Sequence, residues 1–108
     1  MNLDVLTSGP VPPNPSEMLA SSSMDETLKA FENFYDYVII DTPPLLAATD
    51  AQILASISDA TLLVVDIKKS KRRQVTEAKR RLDHVGARLL GVIMNKIDSH
   101  KDTYYYYY

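Results

Sequence analysis

A chain of 108 residues, 45% hydrophobic and 24% charged, has the composition of one small globular domain able to bury a single modest core. It has no cysteine and only two histidines, His84 and His100, which excludes a disulfide framework, thiolate chemistry and a zinc-type ligand cluster. The net charge of −2 hides an uneven division: residues 1–59 carry nine acids against Lys29 alone, while residues 60–108 carry eleven bases against five acids. That division suits two complementary faces meeting head to tail, or a basic face for an anionic partner.

No apolar run approaches the roughly 18 to 20 residues that cross a bilayer, and the opening MNLDVLTSGPVPP has neither a basic nor an apolar leader region. The expectation is a cytoplasmic chain. Leu3–Leu6 is a short strand candidate, stopped by Gly9-Pro10 and the proline-rich loop through Pro15. Asn14-Pro15-Ser16-Glu17 then offers a capping residue, a proline at the first helical position and an early acid. Ser21-Ser22-Ser23 interrupts that helix. Ser23, with Glu26 three residues on, predicts the cap of a second one, whose Met24, Leu28, Phe31 and Phe34 recur near helical spacing.

Residues 37–41, Tyr-Val-Ile-Ile-Asp, form a β-branched run ending in an acid, the pattern of a strand buried on both faces in a parallel sheet. Thr42-Pro43-Pro44 ends it. Residues 48–57 predict a helix with Thr49 or Asp50 near its start, and residues 60–65 another buried strand. Ser70 is a candidate cap for a helix over roughly 71–85, with Val75, Ala78, Leu82 and Val85 on one face and Gly86 as its left-handed terminator. Residues 89–94 give the last strand. Strands alternating with helices predict an α/β fold, a parallel sheet of about four strands with flanking helices.

The strongest chemical signal is Asp41. In open α/β sheets ligands lie beyond the carboxyl ends of the strands, so an acid there points into a site rather than a core. Mg²⁺ favours carboxylate oxygen, often through retained waters, which suits Asp41. Asp50 has a structural alternative as a helix cap. Asn95-Lys96-Ile97-Asp98 fits the base-reading NKxD pattern of GTPases, but that motif needs a phosphate loop and a DxxG switch, and DTPP follows the strand instead. Asn95 is equally readable as a turn residue ending its strand. Lys68, Lys69, Lys71, Arg72, Arg73, Lys79, Arg80 and Arg81 hold eight of the twelve bases. No aromatic residue is interleaved among them, so nucleic acid is not the expected partner. Glu77, four residues before Arg81, suits a solvated helix face.

Taken in order, NLDVLTSGPVPPNPSEML, YDYVIIDTPPLLAATDAQIL, DATLLVV, RRQVTEAKRRL, GVIMNKID and the terminal tyrosines resemble the C-terminal portion of bacterial tyrosine kinases. These are regulators of capsule and exopolysaccharide synthesis, related to the MinD and ParA ATPases of the P-loop class. The resemblance runs through almost the whole chain. It implies that residues 1–98 are the C-terminal part of a kinase domain and residues 99–108 a disordered tyrosine-cluster tail. It implies that Asp41 is the Walker B aspartate, linked to the Mg²⁺ of bound ATP and catalytic in that sense, with Asp50 a weaker candidate near the nucleotide and Asn95 a candidate on the adenine side. Tyr104, Tyr105, Tyr106, Tyr107 and Tyr108 become the acceptors of ATP-dependent autophosphorylation. It also implies ring-type self-association, and a membrane activator protein that would recruit the chain to the membrane.

One departure from that family is as informative as the match. The glycines are Gly9, Gly86 and Gly91, and none begins the phosphate-binding GxxxxGK[ST] loop. The second aspartate motif, Walker A′, is absent as well. Phosphoryl transfer depends on positioning and electrostatic stabilisation of the phosphates, which Asp41 alone does not supply. The expectation is a chain that binds no ATP and transfers no phosphate by itself but receives phosphate on its tail from an intact kinase. The alternative is a non-enzymatic assembly module derived from such a kinase. Relatives of this kind place the phosphate-loop strand beside the Walker B strand, so the isolated chain is also expected to be marginally stable or to have a rearranged sheet.

Overall fold

The structure, a computed structural model, describes residues 2–98. The chain divides into two compact units, residues 1–41 and 42–108. The expected boundary at 98/99, the tail and its tyrosines lie outside the described residues.

The first unit holds α1 (Pro15–Leu19) and α2 (Ser22–Glu32). Proline at the first position suits α1 because its missing N–H costs no helical bond there, and the Asn14 side-chain amide donates to Glu17 Oε2 at 3.0 Å. The cap of α2 is Ser21, not the expected Ser23. Its hydroxyl accepts from the Met24 N–H at 3.3 Å and donates to the Met18 carbonyl at 2.6 Å, so one side chain ends α1 and starts α2. Ser23 lies within the helix, where its carbonyl accepts from the Thr27 hydroxyl. Phe31 meets Tyr35 edge to face, ring centroids 6.2 Å apart, and the Tyr35 hydroxyl donates to Asp4 Oδ2 at 2.9 Å. That bond to a carboxylate pushes the Tyr35 phenol above its ordinary pKa.

The second unit runs α3 (Asp50–Ile57), β1 (Thr61–Asp66), α4 (Arg72–His84) and β2 (Leu89–Asn95). Its core is made by small and branched residues of two helices: Ala51, Leu54 and Ala55 of α3 with Ala78 and Leu82 of α4. Leu82 is 1% exposed. The expected apolar face of α4 is therefore present, with Val75 and Val85 half-buried at its ends. Its start differs from expectation by one residue. Lys71, not Ser70, is the N-cap, and the Gln74 side chain accepts from the Lys71 N–H at 2.8 Å. Lysine has no acceptor to return that bond, so the capping box is half made. The other end is fully satisfied: Gly86, at φ 69°, donates to the Asp83 carbonyl and Ala87 to the Leu82 carbonyl, closing the helix in a left-handed turn.

β1 and β2 pair in parallel from Leu62–Gly91 to Asp66–Asn95, with an irregularity between Thr61 and Leu62. α4 is the crossover between them, and a cavity of about 310 Å³ lies between it and the sheet, lined by Leu63, Leu89 and Val92 on one side and Arg72, Val75, Thr76 and Lys79 on the other.

The sheet has two strands, not the expected four. Leu3–Leu6 and Tyr37–Asp41 pair with nothing among the described residues, and Tyr37 and Ile39 are 87% and 92% exposed where burial on both faces was expected. The physical reason is the ladder. A β-branched run becomes a strand only when a neighbour offers backbone donors and acceptors in register, and none of the described residues does so for residues 37–41.

Candidate functional site

Both parallel strands end in polar residues at the same level, Asp66 of β1 opposite Asn95 of β2. Each turns sharply as it leaves the sheet. Beyond β1 the Asp66 carbonyl accepts from the N–H groups of Lys69 (3.2 Å) and Ser70 (2.8 Å), while its Oδ1 accepts from the Lys68 N–H at 3.0 Å. Beyond β2 the chain passes through Lys96 at φ 63°, a left-handed conformation that a lysine adopts only against steric cost. The Asn95 side-chain oxygen accepts from the Lys96 N–H at 2.8 Å, and its carbonyl accepts from the Ile67 N–H at 3.3 Å.

This turn directs the Lys96 ammonium onto Asp66 Oδ2, 2.5 Å away. A second pair joins the same two loops, Lys68 Nζ to Asp98 Oδ2 at 3.1 Å. The Lys96 ammonium holds the Asp66 carboxyl below its ordinary value, with smaller help from the Lys68 N–H and Lys69, against an opposing effect of burial. The cluster thus keeps a carboxylate ionised at the carboxyl edge of a parallel sheet, where open α/β folds bind ligands. The Asn95 amide keeps its NH₂ unbonded among the described residues, a donor available to an acceptor such as a base nitrogen.

Of the expected site residues, Asn95 is in this cluster. Asp50 is the first residue of α3, behind Thr49 as the N-cap, so it is a first-turn acid rather than the cap itself. Asp41 is exposed and closes the first unit. No group of three or more metal-ligating side chains occurs among the described residues. One carboxylate with retained water suits Mg²⁺ only when substrate phosphates complete the shell. The Asp66–Lys96 pair was not foreseen. Its signal was present: TLLVVD repeats the pattern of an apolar run ending in an acid seen in YVIID. Asp98, which a guanine-reading motif would need free, is engaged by Lys68.

On α4 the cations are unequally served. Glu77 accepts from both Arg80 and Arg81 at 2.8–2.9 Å, as the sequence spacing suggested for Arg81, and the two guanidinium groups bring its carboxyl down to about 2. Lys79 pairs with Asp83 at 2.5 Å. Lys71, Arg72 and Arg73 have no salt bridge among the described residues.

A parallel strand–helix–strand unit with its polar cluster at the strand ends is an α/β domain of the P-loop class, matched by solved kinase domains. Residues 15–97 match the model of the AAA domain family, and the chain belongs to that family; the relatives it resembles are named bacterial tyrosine-protein kinases. It is 47% identical over 107 residues to the tyrosine-protein kinase YwqD of Bacillus subtilis, covering 97% of this chain and 45% of that one. Among solved structures, the VpsO kinase domain superposes with a TM-score of 0.80 at 38% identity, over 86% of this chain and 46% of that one. The kinase domain of the Escherichia coli tyrosine kinase ETK gives 0.78 at 37% identity, over 82% and 35%. The chain therefore spans less than half the length of these relatives. Among the described residues no helix is long and apolar enough to cross a membrane.

Proposed function

We propose that this chain is the acceptor-bearing part of a bacterial tyrosine kinase domain that regulates capsular or exopolysaccharide synthesis, and that it receives phosphate on Tyr104–Tyr108 rather than transferring it. One observation carries this reading: nearly the whole chain aligns with tyrosine kinases, yet its residues include no phosphate-binding loop. In the reaction the phenol oxygen of a tail tyrosine attacks the γ-phosphorus of ATP held by an intact kinase. The new O–P bond forms as the bond to the β-phosphate oxygen breaks, ADP leaves, and the phenol proton is released.

In the whole kinase domain Asp41 would serve as the Walker B aspartate, acting on Mg²⁺ through water, with Asn95 toward the adenine and Asp50 near the nucleotide. What ATP and Mg²⁺ supply there is the transferable phosphoryl group and its charge neutralisation. The partners in this reading are other copies in a ring, an intact kinase, and a membrane activator that brings a cytoplasmic chain to the bilayer. Mixing the purified chain with an intact relative and labelled Mg-ATP tests it. Label on the tail tyrosines, and none without the relative, is expected. Labelling of the chain alone would overturn its passive role.

A second reading, a non-enzymatic assembly module, has an observation in its favour. Leu62, Val64 and Ile93 of the sheet are 46–58% exposed, and both strands have an edge unpaired among the described residues. Co-assembly with the relative without label on the tail is the outcome this reading predicts.

A further inference from the structure

The described chain ends beside its densest run of cations. Asp98 Oδ2 lies 3.1 Å from Lys68 Nζ, and Lys68 opens the turn that leads through Lys69 and Lys71 into Arg72 and Arg73 at the start of α4. Five of the six residues from 68 to 73 are basic, and all five are exposed. Lys68 has Asp98, and Lys69 feels Asp66 at longer range. Lys71, Arg72 and Arg73 have no salt bridge among the described residues, in contrast to Lys79, Arg80 and Arg81 further along the same helix, which Asp83 and Glu77 neutralise.

The arrangement works against the helix that carries it. The first turn of a helix is the positive end of its dipole, where acids stabilise and bases do not. α4 has no acid in that turn and begins with three consecutive cations from its N-cap onward. A phosphorylated anion brought there would relieve both the dipole and the mutual repulsion.

The chain supplies such a group within reach. Tyr104 follows Asp98 by six residues, which span up to about 20 Å when extended, and the five steps from Lys68 to Arg73 cover no more than about 18 Å. Unmodified, the tyrosines carry no charge. Each phosphate adds about −1.5 to −2, so five would change the tail by about −8 to −10. Arginine clusters are a recurrent receptor for phosphorylated segments.

Resting on the reading of Tyr104–Tyr108 as phospho-acceptors, we infer that the phosphorylated tail binds in cis to Lys69, Lys71, Arg72 and Arg73 at the start of α4. Phosphorylation then folds the acceptor segment back on its own domain and cancels the basic patch, withdrawing it from any acidic partner.

The test uses the full chain with phosphotyrosine at Tyr104, Tyr106 and Tyr108, introduced by ligating a synthetic C-terminal phosphopeptide. No kinase is needed, so failure of capture is separable from failure of the tail to be labelled in the mixing experiment. Amide resonances of residues 68–74 are expected to shift relative to the unphosphorylated chain. A generic phosphatase is expected to clear the tail about tenfold more slowly than in the Lys69→Ala/Arg72→Ala/Arg73→Ala variant, at a rate independent of protein concentration, as an intramolecular contact requires. Should that variant not fold, the wild-type phosphorylated chain answers alone, its protection vanishing between about 0.05 M and about 0.5 M salt. Unshifted resonances with equal phosphatase rates would overturn the inference, and so would protection that grows with protein concentration.

Discussion

The Lys96 ammonium and the Asp66 carboxylate, thirty residues apart in sequence, meet at 2.5 Å across the ends of two parallel strands. This contact depends on an unfavourable backbone. Lys96 takes φ 63°, and its N–H is received by the Asn95 side chain, so the left-handed turn is held from one side while its lysine is engaged on the other.

Asp66→Asn removes the charge and keeps the oxygen that accepts from Lys68, whereas Asp66→Ala removes both. Urea denaturation is expected to rank stability as wild type above Asp66→Asn above Asp66→Ala. Lys96→Met is expected to cost about the same as Asp66→Asn, and the double variant less than the two combined, because the partners share one interaction. Fully additive losses would mean that the pair contributes nothing.

The pH dependence of α4 follows from Glu77. Its carboxyl titrates near 4.5 when unfolded and at about 2 in the fold, so between those values the unfolded chain binds the extra proton. The stability Glu77 provides is present above the unfolded value and lost as pH falls from about 4.5 toward 2. Wild type is therefore expected to exceed Glu77→Gln in stability at pH 6, and the gap to close near pH 2. Salt is expected to narrow the gap at pH 6, since these groups face solvent.

Leu82, on α4, is the most buried side chain described, at 1% exposure. Leu82→Ala is expected to cost about 2–5 kcal/mol. Against the total of about 5–15 kcal/mol usual for a domain, that loss is a large fraction, and the melting temperature is expected to fall clearly. A circular dichroism melt checks it.

Gly86 closes α4 at φ 69°, with no atom near the place a Cβ would occupy. The cost of Gly86→Ala is thus conformational rather than steric crowding, about 1 kcal/mol. Gly86→Asn is expected to cost less, because asparagine tolerates the left-handed region. Chemical denaturation of the two variants side by side distinguishes them.

What the chain's own order of residues determined is local. Proline at the start of α1, the 3.6-residue spacing of Ala78 and Leu82, and glycine after α4 each act over a few neighbours, and each appears in the fold as expected, whereas Asn14 stands at the N-cap of α1 with its side chain on Glu17 and not on a backbone N–H. The capping of α2 and α4 shifted by one or two residues, because adjacent serines and lysines compete for the same helix start and only the packed backbone chooses between them. Asp41 and Asn95 stood out as strand-end residues for the same local reason. The strands were a different matter. YVIID and TLLVVD look alike in sequence, but pairing depends on a partner distant in the chain, and among the described residues TLLVVD has one, in LLGVIMN, while YVIID has none. The same parallel pairing put Asp66 within reach of Lys96, a relationship that no spacing along the chain expresses.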